Sequence, residues 1–399
     1  MGIVVMPAYT DYWSSSYRYS LIADVMPLKR YQALRRYIHF VDNNDLDSDR
    51  YFKIRPFLNE IRKKFLEIDE EHKYSIDEMM VPYKGIRAGN RRQYIKNKPR
   101  KWGIKNFIRA GVTGMIYDFL IYGGEDTFRS YSFSDYENNL GLGAKVVLAL
   151  CQTIHQKLCS VVYFDNFFSS LELMQVLRHE YGIFSLGTIR NNRLRGCPLA
   201  SDPVLKKQGR GSFSQKVTTD GKIVICKWYD NKCVTIASTY TDAYPVGKIK
   251  RFCKSEAGKM DVTCPQMIKD YNQHMGGVDL ADMLVALYRT ELRTHRWYLT
   301  IFSQMLDICV NNSWLLYRRD LDVKSKPMPL KEFRKSVATS LLTKNPKRGR
   351  PSAQERATKT ITNPTIRPTD DIRYDNLNHF PESCPKGRCK HCVGGQTRI

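Results

Sequence analysis

The chain contains no apolar run of the length a bilayer-spanning helix needs, about 18 residues or more, so no membrane span is expected. Its first residues lack the charged head and apolar core of a secretory signal, so a secreted protein is not expected. A glycine stands at position 2, but Met6 occupies the place where N-myristoylation requires Ser or Thr. Paired cysteines are also missing: of eleven, eight are scattered singly from Cys151 to Cys309, as small buried hydrophobes of a reducing compartment are. Only Cys384, Cys389 and Cys392 cluster. No internal repeat is visible. Acidic residues are few, 40 against 64 Lys and Arg, and the resulting +24 points to a polyanionic partner, nucleic acid first.

What is present is a folded chain. Hydrophobic residues make up 42% and charged ones 26% of 399 residues, enough for two or three domains at roughly 150 residues each. Residues 1–70 read as helical, with Tyr31, Leu34, Ile38 and Val41 at spacings of three and four and a second amphipathic stretch at 56–68. Short apolar runs at 74–81, 107–114 and 115–122 predict three successive strands. A helical stripe from Leu142 to Leu158, a buried strand at 160–164, a helix at 171–180 and a strand at 183–189 follow. That order predicts an α/β fold, a mixed sheet with helices packed on it. Residues 205–261 read as a small β insertion with strands at 222–226 and 234–239, residues 265–287 and 297–317 as helices, and residues 321–370 as a basic linker.

Acids at strand ends on a basic protein suit a hard divalent cation held against phosphate. Asp77 lies in a predicted strand, Asp165 ends one, and Asp279 and Asp282 share a helix face at a spacing of three. Taken singly, any of them could equally cap a turn or sit in solvent. Five blocks select these four: YSIDEMMVPYKG (74–85), KPRKWGIK (98–105), VYFDNFFS (162–169), GTIRNNR (187–193) and YNQHMGGVDLADMLVALYRTELRTHRW (271–297). In order and spacing they resemble the piggyBac transposase family and its host-domesticated derivatives. The resemblance runs from about residue 15 to the C-terminus, with both ends shorter than the family's.

The resemblance implies an RNase H-like catalytic domain at 71–204 and 262–320, interrupted by the β-rich insertion, behind a helical dimerisation or DNA-binding region at 1–70. It implies Mg²⁺ or Mn²⁺ held by Asp77, Asp165 and Asp279, with Asp282 as a fourth catalytic acid, and cut-and-paste cleavage and strand transfer at TTAA targets in double-stranded DNA by a homodimer. It also makes Trp297 a contact to the DNA end. The alternative is a domesticated derivative that binds DNA without cutting it.

Residues 84–109 hold ten basic residues, Lys98, Arg100, Lys101 and Arg109 among them, and no acid, with Tyr94 and Trp102 interleaved. This is either a phosphate-gripping surface with stacking aromatics or a solvated loop. Arg293 and Arg296 beside Trp297 extend the surface. At 346–352, PKRGRPS places Arg348 and Arg350 around a glycine, which reads as an AT-hook for A·T-rich minor groove or as a nuclear import signal, and predicts a nuclear protein. In the tail, 371–399, Cys389 and Cys392 form a CxxC with His379 and Cys384 nearby, a possible zinc site short of the family's two-zinc cross-brace.

Overall fold

The structure is a computed structural model that describes residues 2–42, 44, 47–96, 100–253, 257–322, 325–343, 387–388 and 396–397. It divides into two units, Met1–Asn345 and Pro346–Ile399. In the second, the described residues form a minimal antiparallel pair, Gly387–Arg388 with Gln396–Thr397.

The strands of the first unit are β1 Lys73–Pro82, β2 Arg92–Tyr94, β3 Trp102–Gly111, β4 Ile116–Ile121, β5 Val161–Phe164, β6 Phe184–Thr188, β7 Phe213–Val217, β8 Val224–Tyr229, β9 Cys233–Ser238, β10 Gly247–Cys253 and β11 Gly258–Cys264. Its helices are α1 Ser20–Ala23, α2 Leu28–Tyr37, α3 Arg55–Leu66, α4 Asp135–Asn138, α5 Leu142–Cys151, α6 Leu171–His179, α7 Asp202–Gln208, α8 Gln266–His274, α9 Gly277–Leu287, α10 Trp297–Arg319 and α11 Leu330–Thr343. Among the described residues the main sheet has nine strands in the order β2-β3-β1-β5-β6-β9-β8-β7, with β4 also on β3. Strands β1, β5 and β6 run parallel, and β3 and β9 flank them antiparallel.

Parallel strands need cover on both faces, and β1 has it. Tyr74 and Ile76 point into a cluster with Val147 of α5 and Leu173 of α6. Met79 and Val81, on the opposite face, join Ile61 of α3, Val278 of α9 and Ile301 of α10. A third cluster seats Met267 and Ile268 of α8 on Tyr163, Leu186 and Ile236.

The expected sequence of strands and helices from β1 to β6 is present. Elsewhere the fold departs from the sequence reading. Helix α2 ends at Tyr37, none of its residues is buried, and Leu34 is exposed, so the early stripe is not a core stripe. The helix from Leu142 stops at Cys151, leaving Leu158 exposed. Strands β7, β8 and β9 extend the main sheet through β6, because Leu186–Thr188 pair with Ile236–Ser238; β10 and β11 form a separate hairpin. The polar stretch after residue 321 carries α11, which seats buried Leu330, stacks Phe333 on Tyr317 at 5.5 Å and pairs Arg334 with Asp307.

Candidate active site

The register of the three parallel strands creates a level row. Ile76 pairs with Phe164, and Phe164 with Gly187. One residue further along each strand, Asp77, Asp165 and Thr188 stand side by side, on the face covered by α8, α9 and α10, because neighbours in register point the same way. Asp77 Oδ1 accepts the Glu78 amide at 2.8 Å. Asp165 Oδ1 accepts the Phe167 amide at 2.8 Å. Burial holds the Asp165 carboxyl above its usual range; the Phe167 amide works against that, nearby Glu78 adds to it, and Arg190 opposes it.

The loop that follows β5 is fixed from the end of β6. Arg193 donates to the carbonyls of Asn166 at 3.1 Å and Ser169 at 2.6 Å, and Arg190 Nε donates to Asn166 Oδ1 at 3.1 Å. A guanidinium is suited to this because its donors are spread in a rigid plane.

Helix α9 carries the other two acids, and a glycine sets its approach. A Cβ on Gly277 would lie 2.3 Å from the Gly111 carbonyl oxygen and 2.7 Å from Ser75 Oγ, so only glycine lets the helix start seat on β1 and β3. Ser75 Oγ caps the seat by accepting the Val278 amide at 3.1 Å. Asp279 then falls in the first turn, where the helix dipole favours a carboxylate.

One hydroxyl lies within the field of three of the acids. Tyr271 of α8 hydrogen-bonds Thr188, and its phenol is pushed up first by burial and then by the charges of Asp165, Asp77 and Asp279. The charges of all three carboxylates are therefore felt at this phenol. Asp282 is turned toward Arg289, with NH2 to Oδ1 at 3.5 Å, while Arg289 also donates to Gln304 Oε1 at 2.7 Å. Carboxylate and hydroxyl oxygens are the donors that Mg²⁺ or Mn²⁺ prefers. Among the described residues, however, no three His, Cys, Asp or Glu side chains gather at the spacing of a metal cage.

The basic residues separate into different roles. Lys101 is exposed, and Trp102 is 40% exposed on the β2–β3 hairpin, with Tyr94 at 5.0 Å and the Arg92 guanidinium 4.3 Å over its ring. Arg100 pairs with Glu291 at 2.7 Å. Arg109 corrects the sequence reading: it is 1% exposed, stacked 4.7 Å over Tyr74 and bonded to Thr153, so it is part of the core and no phosphate contact. Arg293 donates to the Pro7 carbonyl and Arg296 to that of Arg36 at 2.6 Å, which ties the N-terminal segment to the start of α10. Trp297 is 8% exposed, enclosed by Tyr51, Tyr298 and the Arg91 guanidinium. Lys98, Arg348, Arg350, His379, Cys384, Cys389 and Cys392 lie outside the described residues.

Sequence reasoning missed Thr188, Tyr271, Arg190 and Arg193. They lay within the quoted blocks, but their signal is the parallel pairing of β5 and β6, which brings the residues after both strands to one end of the sheet.

A family model described as Transposase IS4 matches residues 1–314. Human PiggyBac transposable element-derived protein 3 is 30% identical over 99% of this chain, and human PiggyBac transposable element-derived protein 2 is 29% identical over 95%. The chain spans 64% and 63% of the lengths of these curated relatives. A solved structure, the cryo-EM structure of a piggyBac transposase synaptic complex with hairpin DNA, aligns with 97% of this chain and 74% of its own at a TM-score of 0.69 and 22% identity, which is a likeness of fold. No described helix is long and apolar enough to cross a membrane. A match over residues 1–314, with these relatives and this fold, makes the chain a member of the IS4 transposase family, of the piggyBac type.

Proposed function

We propose that the protein is a DNA transposase with an RNase H-like catalytic domain, cutting phosphodiester bonds and transferring strands at TTAA targets with Asp77, Asp165 and Asp279 as its metal ligands. The observation that carries this reading is the register of β1 and β5, which sets Asp77 beside Asp165 on the face covered by α9, whose first turn carries Asp279. The strand order β4-β3-β1-β5-β6, with β1, β5 and β6 parallel, supports the architecture.

Bound Mg²⁺ or Mn²⁺ would activate the attacking water or 3′-hydroxyl and stabilise the departing oxygen. The protein's own residues do the positioning. Arg193 locks the loop bearing Asp165, Arg190 holds Asn166 of the same loop, and Ser75 and Gly277 hold Asp279 to the sheet. DNA is bound in the nucleus by a homodimer, with the exposed Lys101 and Trp102 hairpin on the duplex.

Purified protein should nick a supercoiled plasmid in Mg²⁺ or Mn²⁺ and not in EDTA, and Asp165→Asn should abolish nicking. Metal-independent nicking, or full activity in the variant, overturns the assignment.

The Asp282–Arg289 pair favours a second reading. An acid paired with a partly buried arginine serves the fold, as in a domesticated derivative that binds DNA without cleaving it. Retained DNA affinity with no nicking at any metal concentration would select this reading.

A further inference from the structure

A cleft of about 460 Å³ opens beside the carboxylate row, and none of the steps above uses it. It shares Thr188 and Tyr271 with the row, and the turn joining β8 to β9 forms its far side. Thr188 stands one strand over from the level of Asp165, a spacing of about 5 Å. A DNA strand with a phosphate at Asp165 therefore delivers its neighbouring nucleotide to the mouth of the cleft.

The lining suits a base without its partner. Ile268, Tyr271 and Asn272 lie at spacings of three and four on α8, so they form one wall, and Val234 of β9 contributes to another. Between these apolar surfaces a ring can lie flat. Asn231 and Asn272, both exposed, bring two side-chain amides, each with donors and an acceptor, which is what the edge of an unpaired base requires. Exposed Lys232 supplies positive charge for the accompanying phosphate, while Asp230 is clamped between Arg210 and Arg251 and so does not oppose it. The volume falls in the range of small-ligand sites, roughly 300–1,000 Å³.

We propose that this cleft binds one unpaired nucleotide adjoining the phosphodiester on which the carboxylate row acts. The inference rests on the reading that the row faces the scissile DNA, and it assigns a task to the strands that lengthen the sheet beyond β6. Base extrusion costs least where the strand is already single, so DNA with a short overhang should expose the site.

The test uses the full chain in EDTA, without cleavage. A duplex with a three-nucleotide overhang and a blunt duplex of equal charge are titrated at one salt concentration. The overhang should bind about 10-fold more tightly, as expected for one well-held base. An Asn231→Ala, Asn272→Ala double variant should lose that excess and keep its affinity for the blunt duplex. A photoreactive base in the overhang should crosslink to residues 228–234 or 266–274. Equal affinity for the two DNAs, an excess that survives the double variant, or crosslinks confined elsewhere overturns the proposal. Because no catalysis is measured, absence of nicking with a retained overhang preference would count against the nuclease reading alone, and nicking without the preference against the cleft alone.

Discussion

Asp165 is held by its surroundings in a form they do not favour. Its carboxyl titrates above the ordinary aspartate range, mainly because burial penalises the charge. A carboxyl raised in the folded state binds its proton more tightly there than in the unfolded chain, so its contribution to stability is full below the unfolded value and declines as pH rises through the folded one. Asp165→Asn keeps an acceptor for the Phe167 amide and removes the charge. In EDTA the variant should melt at a higher temperature than the parent at neutral pH, with the difference closing below about pH 4; a lower melting temperature at neutral pH would show that the carboxylate is stabilised in the fold. Arg109 is the opposite case, a charge the core depends on. It is stacked over Tyr74 and lies 3.8 Å from Glu70, which is itself nearly buried. Arg109→Ala should cost about 3–5 kcal/mol in urea unfolding, because it leaves Glu70 with its counter-charge gone. Arg109→Met, which keeps the stem, should cost less.

At the scale of elements, the seat of α9 decides whether Asp279 reaches the row. With Gly277 against the backbone oxygen of Gly111, there is no flexible side chain to yield to a methyl group. Gly277→Ala should destabilise the protein by about 1–3 kcal/mol through overpacking, and should lower nicking more than it lowers DNA affinity, since α9 must lift away from β1. Gly276→Ala is the control: a Cβ there meets nothing within 4 Å. The sequence announced much of this region. Apolar runs located β1, β3, β4, β5 and β6 because each is buried on both faces, and the stripe of α3 was visible because Leu58, Ile61 and Phe65 do face the core. It could not announce that β9 returns beside β6, since strand pairing across some fifty residues leaves no local mark. For the same reason Thr188 and Tyr271 stayed unseen: one ends a strand, one faces inward from a helix, and only the packing of α8 on the sheet brings them together. Trp297 shows the reverse, an aromatic assigned to DNA by resemblance that this fold encloses among Tyr51, Arg91 and Tyr298.

For the whole molecule, the excess of 64 basic over 40 acidic residues is an electrostatic quantity whose useful part is smaller than +24. Several cations are already engaged: Arg100 with Glu291, Arg62 with buried Asp118, Arg109 within the core. Those left exposed on the segment that includes the β2–β3 hairpin, Lys84, Arg87, Lys96 and Lys101, are free to displace counterions from a duplex. If contacts of this kind number about 6–10, affinity for a blunt duplex should fall about 10³–10⁵-fold between about 50 and 200 mM salt. Lys101→Ala and Lys84→Ala should each reduce the slope of log affinity against log salt by about 1. Arg100→Ala should reduce it less, because Glu291 already neutralises that guanidinium, and the difference between Arg100 and Lys101, adjacent in sequence, separates a surface arranged for phosphate from one that is merely basic. A flat salt dependence would remove the electrostatic account of DNA binding, and equal losses at the two positions would remove the role given to the Arg100–Glu291 pair.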